Sequence, residues 1–293
     1  MTFFLNYLIN GLQAGSIYAL IALGYTMVYG IVKLINFAHG DVMMVGAYVA
    51  LFCIGSFNLP LWATVLITMV FCALLGVIIE RFAYKPLRNS PRISALITAI
   101  GVSLLLQNVV MILFSQNPRR FPSVLENAPV WQLGDLKVSS ISIGSIGLAV
   151  LLMIILYLFI SRTKMGKAMR AVSEDTGAAQ LMGINVNTTI SVTFAIGSGM
   201  ASFAAILYCI AYPQVQPFMG AMPGLKAFIA AVLGGIGVIP GAMFGGMLLG
   251  VVESLTKGYI SSNLSDAVVF GILILVLLFK PSGLFGRLIR EKV

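Results

Sequence analysis

The chain has 293 residues, of which 59% are hydrophobic and only 9% are charged, whereas soluble domains carry about 25% charged residues. So little charge cannot cover the surface of a water-soluble fold, which excludes a soluble enzyme, a disordered chain, a secreted disulfide scaffold and a nucleic-acid-binding domain. Together with a mean hydropathy of +1.02, this composition predicts an all-α polytopic membrane protein. The net charge of +9 comes largely from lysines and arginines beside apolar segments, where such residues set membrane topology.

Several apolar segments approach the roughly 20 residues that a bilayer-crossing helix needs. They lie at about 5–31, 41–57, 61–79, 93–114, 142–160, 189–212 and 266–280. We therefore expect about seven full transmembrane helices in a single domain that covers residues 1–293. Because the first lysine or arginine is Lys33, no charged segment precedes the first apolar run. We expect that run to be a permanent span rather than a cleaved signal peptide.

A further apolar stretch, at about 226–252, is broken near its middle. The residues that interrupt it are Gly234, Gly235, Gly237, Pro240 and Gly241. Glycine and proline are unfavourable in helix interiors, so we expect the chain to turn at 234–241. The stretch then forms either a re-entrant pair of half-helices or two short spans.

Clusters of positive charge orient the spans. The loops at 80–92 and 161–188 and the tail at 280–292 carry four lysines or arginines each, which predicts that all three lie in the cytoplasm. The spans between these clusters then place the N-terminus and the loop at 115–141 outside and the C-terminus inside. Counting the membrane crossings between these clusters also requires that the stretch at 226–252 begin and end on the same side of the membrane.

A second break, at 35–41, separates the first two apolar segments. Non-helical backbone at membrane depth persists only where protein buries it or where it lines a cavity, and paired breaks in the two halves of a transporter indicate the substrate path. The candidate path residues are Asn36, His39, Gly40 and Asp41 in this break and Gly234, Gly235, Gly237, Pro240 and Gly241 in the other. For His39 and Asp41 the alternative is a short interfacial loop, in which they shape a gate without touching substrate.

Small residues recur at every fourth position in several segments. The pairs and triplets are Gly11 and Gly15, Gly237, Gly241 and Gly245, and Gly246 and Gly250. Such spacing lets helices approach closely. It predicts either a subunit interface around a pore or tight packing within one chain.

We expect no metal, no cofactor and no catalytic residue in this chain. Cys53, Cys72 and Cys209 lie in separate apolar stretches without a CxxC pair, and His39 is the only histidine, so neither a metal site nor a disulfide framework is predicted. The sequence has no G-x-x-x-x-G-K-[ST] phosphate loop. Ser198 and His39 raise an intramembrane hydrolase as an alternative, but nothing in the sequence brings them together as nucleophile and base.

A polar stretch at 163–185 follows the fifth apolar segment. We expect Ser173 to cap a short helix with Glu174 and Asp175 in its first turn, and Gly183 to end it. The apolar face of this helix consists of Ala178, Leu181 and Met182. Such a face on the cytoplasmic side indicates a protein partner, and the alternative is a helix that lies on the membrane surface.

This stretch resembles the coupling segment of ABC-importer permeases, with Glu174, the alanine pair Ala178 and Ala179, and Gly183. Nearly the whole chain resembles the branched-chain amino acid permease family, in particular its high-affinity H-type subunit. The matching stretches are YALIALGYTMVYG at 18–30, INFAHGD at 35–41, LMGIN at 181–185 and GLKAFIAAVLGGIGVIPG at 224–241.

The resemblance implies a subunit of an ATP-driven importer in the bacterial inner membrane, surrounded by the lipid bilayer. It implies three kinds of partner: a homologous second permease, two cytoplasmic ATPase subunits that hold ATP and Mg, and a periplasmic substrate-binding protein. The residues that it assigns to ATPase coupling are Arg170, Glu174, Asp175, Ala178, Ala179 and Gly183. The chain departs from the pattern at Gly177, which weakens the helix by about 1 kcal/mol relative to alanine.

Two other transport functions remain open from the sequence. An ion-coupled secondary amino-acid transporter would need membrane-depth acids or carbonyl groups, and the acids present lie near segment ends: Asp41, Glu80, Glu253 and Asp266. An ABC permease for urea or short amides would share the same architecture.

Overall fold

The computed structural model describes residues 2–88, 90–123, 129–133 and 136–286. The helices are α1 Thr2–Val32, α2 His39–Gly55, α3 Leu61–Ile79, α4 Arg92–Phe114, α5 Ser140–Arg162, α6 Lys164–Glu174, α7 Thr176–Leu181, α8 Val186–Ala211, α9 Ala221–Gly234, α10 Ile239–Tyr259 and α11 Ser265–Phe279. A π-helical turn, Glu80–Tyr84, and a 3-10 turn, Lys85–Leu87, extend α3. The short strands are β1 Arg119–Arg120, β2 Val130–Leu133, β3 Leu136–Ser139 and β4 Gln214–Val215.

The strands belong to the connections between helices. β1 pairs antiparallel with β4, with Arg119 opposite Val215, and β2 and β3 form an antiparallel hairpin with Val130 opposite Ser139. The first pair ties the connection between α4 and α5 to the segment that follows α8.

Six helices in the described part of the chain are long and apolar enough to cross a membrane. They are α1, α3 with its extension, α4, α5, α8 and α10. The structure thus agrees with the predicted all-α membrane class, while the number of full-length helices differs from the expected seven. α2 and α11 have 17 and 15 residues, and α10 is uninterrupted because the break precedes it.

The centre of the molecule is α1, which packs against α8, α9 and α10. In the most apolar part of α1, 89% of the residues are buried, whereas the corresponding share of α4 is 11%. α4 therefore presents almost its whole circumference to the surroundings, which suits a helix in contact with lipid.

The helical members of the predicted small-residue stripes pack within the chain, whereas Gly237 lies in the turn before α10. A Cβ on Gly250 of α10 would lie 2.2 Å from the backbone nitrogen of Gly15, so the backbones of α1 and α10 are in direct contact. In the same way Gly245 of α10 faces the carbonyl of Ala230 in α9. Of the two interpretations of these stripes, tight packing within one chain is the one observed here.

The helix ends lie on two opposite faces of the molecule. Phe3 near the start of α1 contacts Tyr259 at the end of α10, with ring centroids 5.6 Å apart. Tyr7 of α1, Tyr212 after α8 and Lys257 of α10 line one cavity on the same side. We call this side the outer face, following the charge pattern of the sequence.

The opposite side, the inner face, holds the extension of α3, the start of α8 and α6. Arg88 donates a hydrogen bond of 2.6 Å to Asn187 there, and Gly237, in the turn between α9 and α10, lies in a pocket with Gly30 and Arg170. The segment 212–259 therefore leaves the outer face, reaches the inner face and returns. Its turn, at 235–238, falls within the predicted break at 234–241, and the tail charges beyond residue 286 lie outside the described residues.

Candidate functional site

The polar stretch on the inner face forms two helices, and the prediction that Ser173 caps a helix is wrong. α6 begins at Lys164, capped by Thr163, whose hydroxyl accepts from the backbone of Gly166 at 3.0 Å. α6 forms because Met169 and Val172, three positions apart, bury one side of it. Ser173 therefore lies inside α6, where its hydroxyl donates to a backbone carbonyl.

Asp175 makes the break between the two helices. One of its carboxylate oxygens accepts hydrogen bonds from the backbone nitrogens of Gly177 and Ala178, at 2.8 and 2.9 Å. Asp175 is thus the N-cap of α7, which satisfies backbone donors that a six-residue helix could not satisfy itself.

The C-terminal end of α7 points away from the rest of the molecule. Leu181 and Met182 are 90% and 82% exposed, while Ala179 is buried against the rest of the chain. Gly183 ends the helix as predicted, and its φ of +80° is a conformation that favours glycine. Among the residues assigned to coupling, Ala179 holds α7 in place, and the exposed ones are Arg170, Glu174, Asp175, Ala178 and Gly183.

The break at 35–41 brings α2 against α9 rather than against the turn at 234–241. A Cβ on Gly220, just before α9, would lie 2.0 Å from the carbonyl oxygen of Gly40. A Cβ on Gly224 would lie 2.8 Å from the Gly40 Cα. The starts of two short helices therefore cross in backbone contact, and we call Gly40, Gly220 and Gly224 the glycine junction.

His39 and Asn36 anchor this break inside the protein. The His39 ring is buried, 4.8 Å from the ring of Tyr25, and its Nε2 lies where a side chain on Gly24 would be. Asn36 accepts a 2.8 Å hydrogen bond from the hydroxyl of Tyr84, in the extension of α3. Both side chains hold the backbone between α1 and α2.

Asp41 is a buried carboxylate that joins α2 to the largely exposed α4. It accepts hydrogen bonds from the Ser103 hydroxyl at 2.5 Å and from the Gln107 amide at 2.8 Å. It also lies in the first turn of α2, where a negative charge is favourable. The sequence pattern left open whether Asp41 shapes the protein or contacts substrate, and in the structure each of its oxygens accepts one of these hydrogen bonds.

We expect Gln107→Leu to destabilise the protein by about 1.5–3 kcal/mol, because a buried carboxylate loses a charge-assisted hydrogen bond. The readout is thermal unfolding followed with a thiol-reactive fluorophore, since Cys53, Cys72 and Cys209 are free and buried. A midpoint equal to that of the wild type would contradict the role of Asp41 in holding α4.

The matched control is Asn108→Leu. Asn108 is the next residue on α4, and its amide bonds to the Leu104 carbonyl of its own helix. Its replacement is expected to leave the midpoint nearly unchanged, which separates the contact with Asp41 from a general effect of leucine on α4.

The second break is a turn tied to the tail of the chain. Gly234 ends α9 and accepts a backbone hydrogen bond from Phe285 at 3.1 Å. Gly235 and Gly237 have positive φ, and Pro240 lies in the first turn of α10, beside Gly241. Since α9 has 14 residues, about 20 Å of helix separates this turn from the glycine junction. The two breaks are therefore not brought together; they lie at opposite ends of α9.

The hydrolase alternative paired Ser198 with His39. Ser198 is buried against Gly76 of α3, and no hydrogen bond joins it to His39 among the described residues. The same residues contain no group of three or more His, Cys, Asp and Glu side chains that could hold a metal ion.

The structure reveals a charge cluster that the sequence analysis did not assemble. It consists of Lys226 in α9, Glu253 and Lys257 in α10, and Asp266 in α11. Lys226 lies at the start of the apolar stretch at 226–252, and an ionisable residue within a membrane segment indicates function. The position of Lys226 was visible in the sequence. Its partners Glu253 and Asp266 lie near segment ends, where charged residues are common, so the sequence did not indicate that they pair with it.

The fold and these features are those of a polytopic all-α membrane protein, with breaks between helices inside it and an exposed helix pair on one face. A chain of similar fold occurs in the solved structure of PsaBC from Streptococcus pneumoniae in complex with Fab, with a TM-score of 0.50 and 12% identity. The similarity covers 94% of this chain and 92% of that chain.

The sequence identifies the family. Residues 7–277 match the family described as branched-chain amino acid transport system / permease component. The high-affinity branched-chain amino acid transport system permease protein BraD of Pseudomonas aeruginosa is 45% identical, over 99% of this chain and 98% of BraD. The corresponding protein LivH of Escherichia coli K12 is 44% identical, with the same coverage. A more distant relative, the ribose import permease protein RbsC of Escherichia coli K12, is 24% identical over 86% of this chain and 78% of RbsC.

The chain therefore belongs to the family of permease components of branched-chain amino acid transport systems. It is a transport component of a membrane system that has other subunits.

Proposed function

We propose that this chain is the membrane-spanning permease subunit of an ATP-driven importer that carries branched-chain amino acids into the cytoplasm. The observation that carries this proposal is the similarity to BraD and LivH at 45% and 44% identity over 99% of the chain. The greater distance of the ribose permease RbsC, at 24% identity, favours an amino acid over a sugar as the substrate.

The inner face is assigned to the cytoplasm. The basic residues Arg88, Lys164 and Arg170 lie on it, as the positive-inside pattern requires. The N-terminus then lies outside, the C-terminus inside, and the protein resides in the bacterial inner membrane.

The exposed end of α7 is assigned to ATPase docking. Leu181 and Met182 are large apolar side chains without cover, and such residues become favourable when a partner pocket encloses them. Two cytoplasmic ATPase subunits, which hold ATP and Mg, would bind here and on a homologous second permease subunit. A periplasmic substrate-binding protein would deliver the amino acid to the outer face.

The path of the substrate is assigned to the side of α9 between the two breaks. The candidate residues Asn36, His39, Gly40 and Asp41 belong to the end of this path at the glycine junction. Its inner end consists of Gly234, Gly235, Gly237, Pro240 and Gly241. In this arrangement His39 and Asp41 shape the gate around the glycine junction. Backbone groups at the helix breaks offer polar partners to the ends of a zwitterion.

The test is uptake of labelled amino acids by proteoliposomes that hold this chain, its companion subunits and the binding protein. We expect uptake of leucine, isoleucine and valine that requires ATP in the ATPase compartment and persists with an ionophore. Urea, acetamide and ribose serve as control solutes and should not enter. Uptake without ATP that stops when the ion gradient collapses would instead establish a secondary carrier, and uptake of urea or acetamide alone would change the substrate class.

A further inference from the structure

Among the described residues, the charge cluster leaves one buried carboxylate oxygen without a hydrogen-bond partner. Glu253 Oε1 accepts from Lys226 Nζ at 2.8 Å and from Lys257 Nζ at 2.5 Å. Lys226 Nζ also lies 2.7 Å from Asp266 Oδ1. The cluster thus contains two positive and two negative groups, and both lysines crowd onto the same oxygen of Glu253.

Glu253 Oε2 is buried and makes no hydrogen bond with any described residue. The Tyr18 hydroxyl of α1 also interacts with the Glu253 carboxylate, while Oε2 itself has no hydrogen-bond partner among the described residues. A buried charged acceptor without a partner is costly, so this oxygen is suited to a donor that the chain itself does not supply.

Glu253 is one of the residues that line a cavity of about 330 Å³ on the outer face. That volume is at the low end of the range of about 300–1,000 Å³ for small-molecule sites. Among its lining residues, the Glu253 side chain is buried and the Lys257 side chain is 40% exposed. The residues that line it are Tyr7, Asn10, Gln13, Ala14, Ile17, Ala211, Tyr212, Gly250, Glu253, Ser254 and Lys257.

We infer that this cavity binds one zwitterionic, apolar α-amino acid on its way into the transporter. The ammonium group donates to Glu253 Oε2, and the carboxylate accepts from Lys257, whose ammonium has three donors and uses one on Glu253. The aliphatic side chain rests against Ala14 and Ile17. The inference rests on the proposed function and adds to it the place where the amino acid first contacts this chain.

Charge balance argues for a zwitterion rather than an ion. Because the cluster is neutral as a whole, a net cation or anion would bring uncompensated charge into a partly buried cavity, which is unfavourable. A zwitterion adds one charge of each sign beside a group of the opposite sign.

The test is equilibrium binding of labelled L-leucine to the transport complex in lipid nanodiscs, purified through a tag on this chain and without the binding protein. We expect saturable binding that Glu253→Gln weakens at least about tenfold, the loss of one charge-assisted hydrogen bond. The matched control is Asp266→Asn, which also removes an acidic partner of Lys226 but does not line the cavity. This variant should bind leucine with an affinity within about twofold of that of the wild type, a much smaller change than the tenfold weakening expected for Glu253→Gln.

A second measurement needs no change in the cluster. N-acetyl-L-leucine lacks the ammonium and L-leucinamide lacks the carboxylate, so both should compete poorly with leucine on the wild-type complex. Ala14→Leu fills the cavity and should also abolish binding, even if Glu253→Gln fails to fold.

Three results would overturn the inference: no saturable binding by the wild type, equal weakening by Glu253→Gln and Asp266→Asn, or full competition by N-acetyl-L-leucine. Uptake by the same wild-type preparation separates the two proposals. ATP-driven leucine uptake with unchanged binding in Glu253→Gln rejects this site alone, whereas absence of uptake rejects the proposed function.

Discussion

We expect that replacing Leu181 and Met182 together by alanine abolishes ATP-driven uptake and releases the ATPase subunits, while the permease stays folded in the membrane. The two side chains are 90% and 82% exposed, so their removal costs the isolated chain little. If an ATPase pocket encloses them, they are the kind of anchor whose truncation costs about 2 kcal/mol or more, a weakening of about thirtyfold or more. The measurement is the amount of ATPase that co-purifies with the tagged chain, together with uptake.

The control is the double replacement Ile260→Ala and Leu264→Ala. These residues are also large, apolar and exposed, but they lie between α10 and α11 on the outer face. We expect ATPase to co-purify with this variant as with the wild type. Loss of ATPase from the control, or its retention after loss of Leu181 and Met182, would contradict docking at α7.

We expect Gly220→Ala to destabilise the protein by about 3 kcal/mol, the upper part of the usual cost of overpacking. Gly220 has φ −78° and ψ −19°, which alanine adopts freely, so the substitution causes no backbone strain of its own. Its Cβ would lie 2.0 Å from the Gly40 carbonyl oxygen and 2.6 Å from the carbon. Because both contacts are backbone, the starts of α2 and α9 must move apart.

The measurement is the thermal midpoint with the thiol-reactive fluorophore, and uptake is expected to fall with it. Gly101→Ala on α4 is the control, because a Cβ there meets nothing within 4 Å and alanine favours a helix by up to about 1 kcal/mol. An unchanged midpoint for Gly220→Ala would show that the glycine junction opens without cost.

Local features of the structure were readable from the sequence. The breaks predicted at 35–41 and 234–241 overlap those observed at 33–38 and 235–238, because polar residues interrupt the first apolar run and glycines the second. The bounds were too wide, since His39, Gly40 and Asp41 already form the first turn of α2. Gly183 was correctly expected to end a helix. The predicted start of that helix was wrong, because Ser173 and Asp175 are both good N-caps and the sequence pattern does not choose between them. In the structure, the burial of Met169 and Val172 extends α6 past Ser173, so that Asp175 is the N-cap.

The sequence by itself determined the class of the protein and the positions of its apolar helices, because a chain in lipid must satisfy its backbone hydrogen bonds within each segment. It did not determine which segments are central, since α1 and α4 are both apolar although one is 89% and the other 11% buried in its most apolar part. In a membrane, lipid and protein interior favour the same side chains, so the hydrophobic pattern does not separate them. The contact of Gly40 with Gly220 and the pairing of Lys226 with Glu253 join residues far apart in the chain. Only the tertiary structure decided these contacts, because close backbone approach and the pairing of buried charges depend on how the helices are arranged.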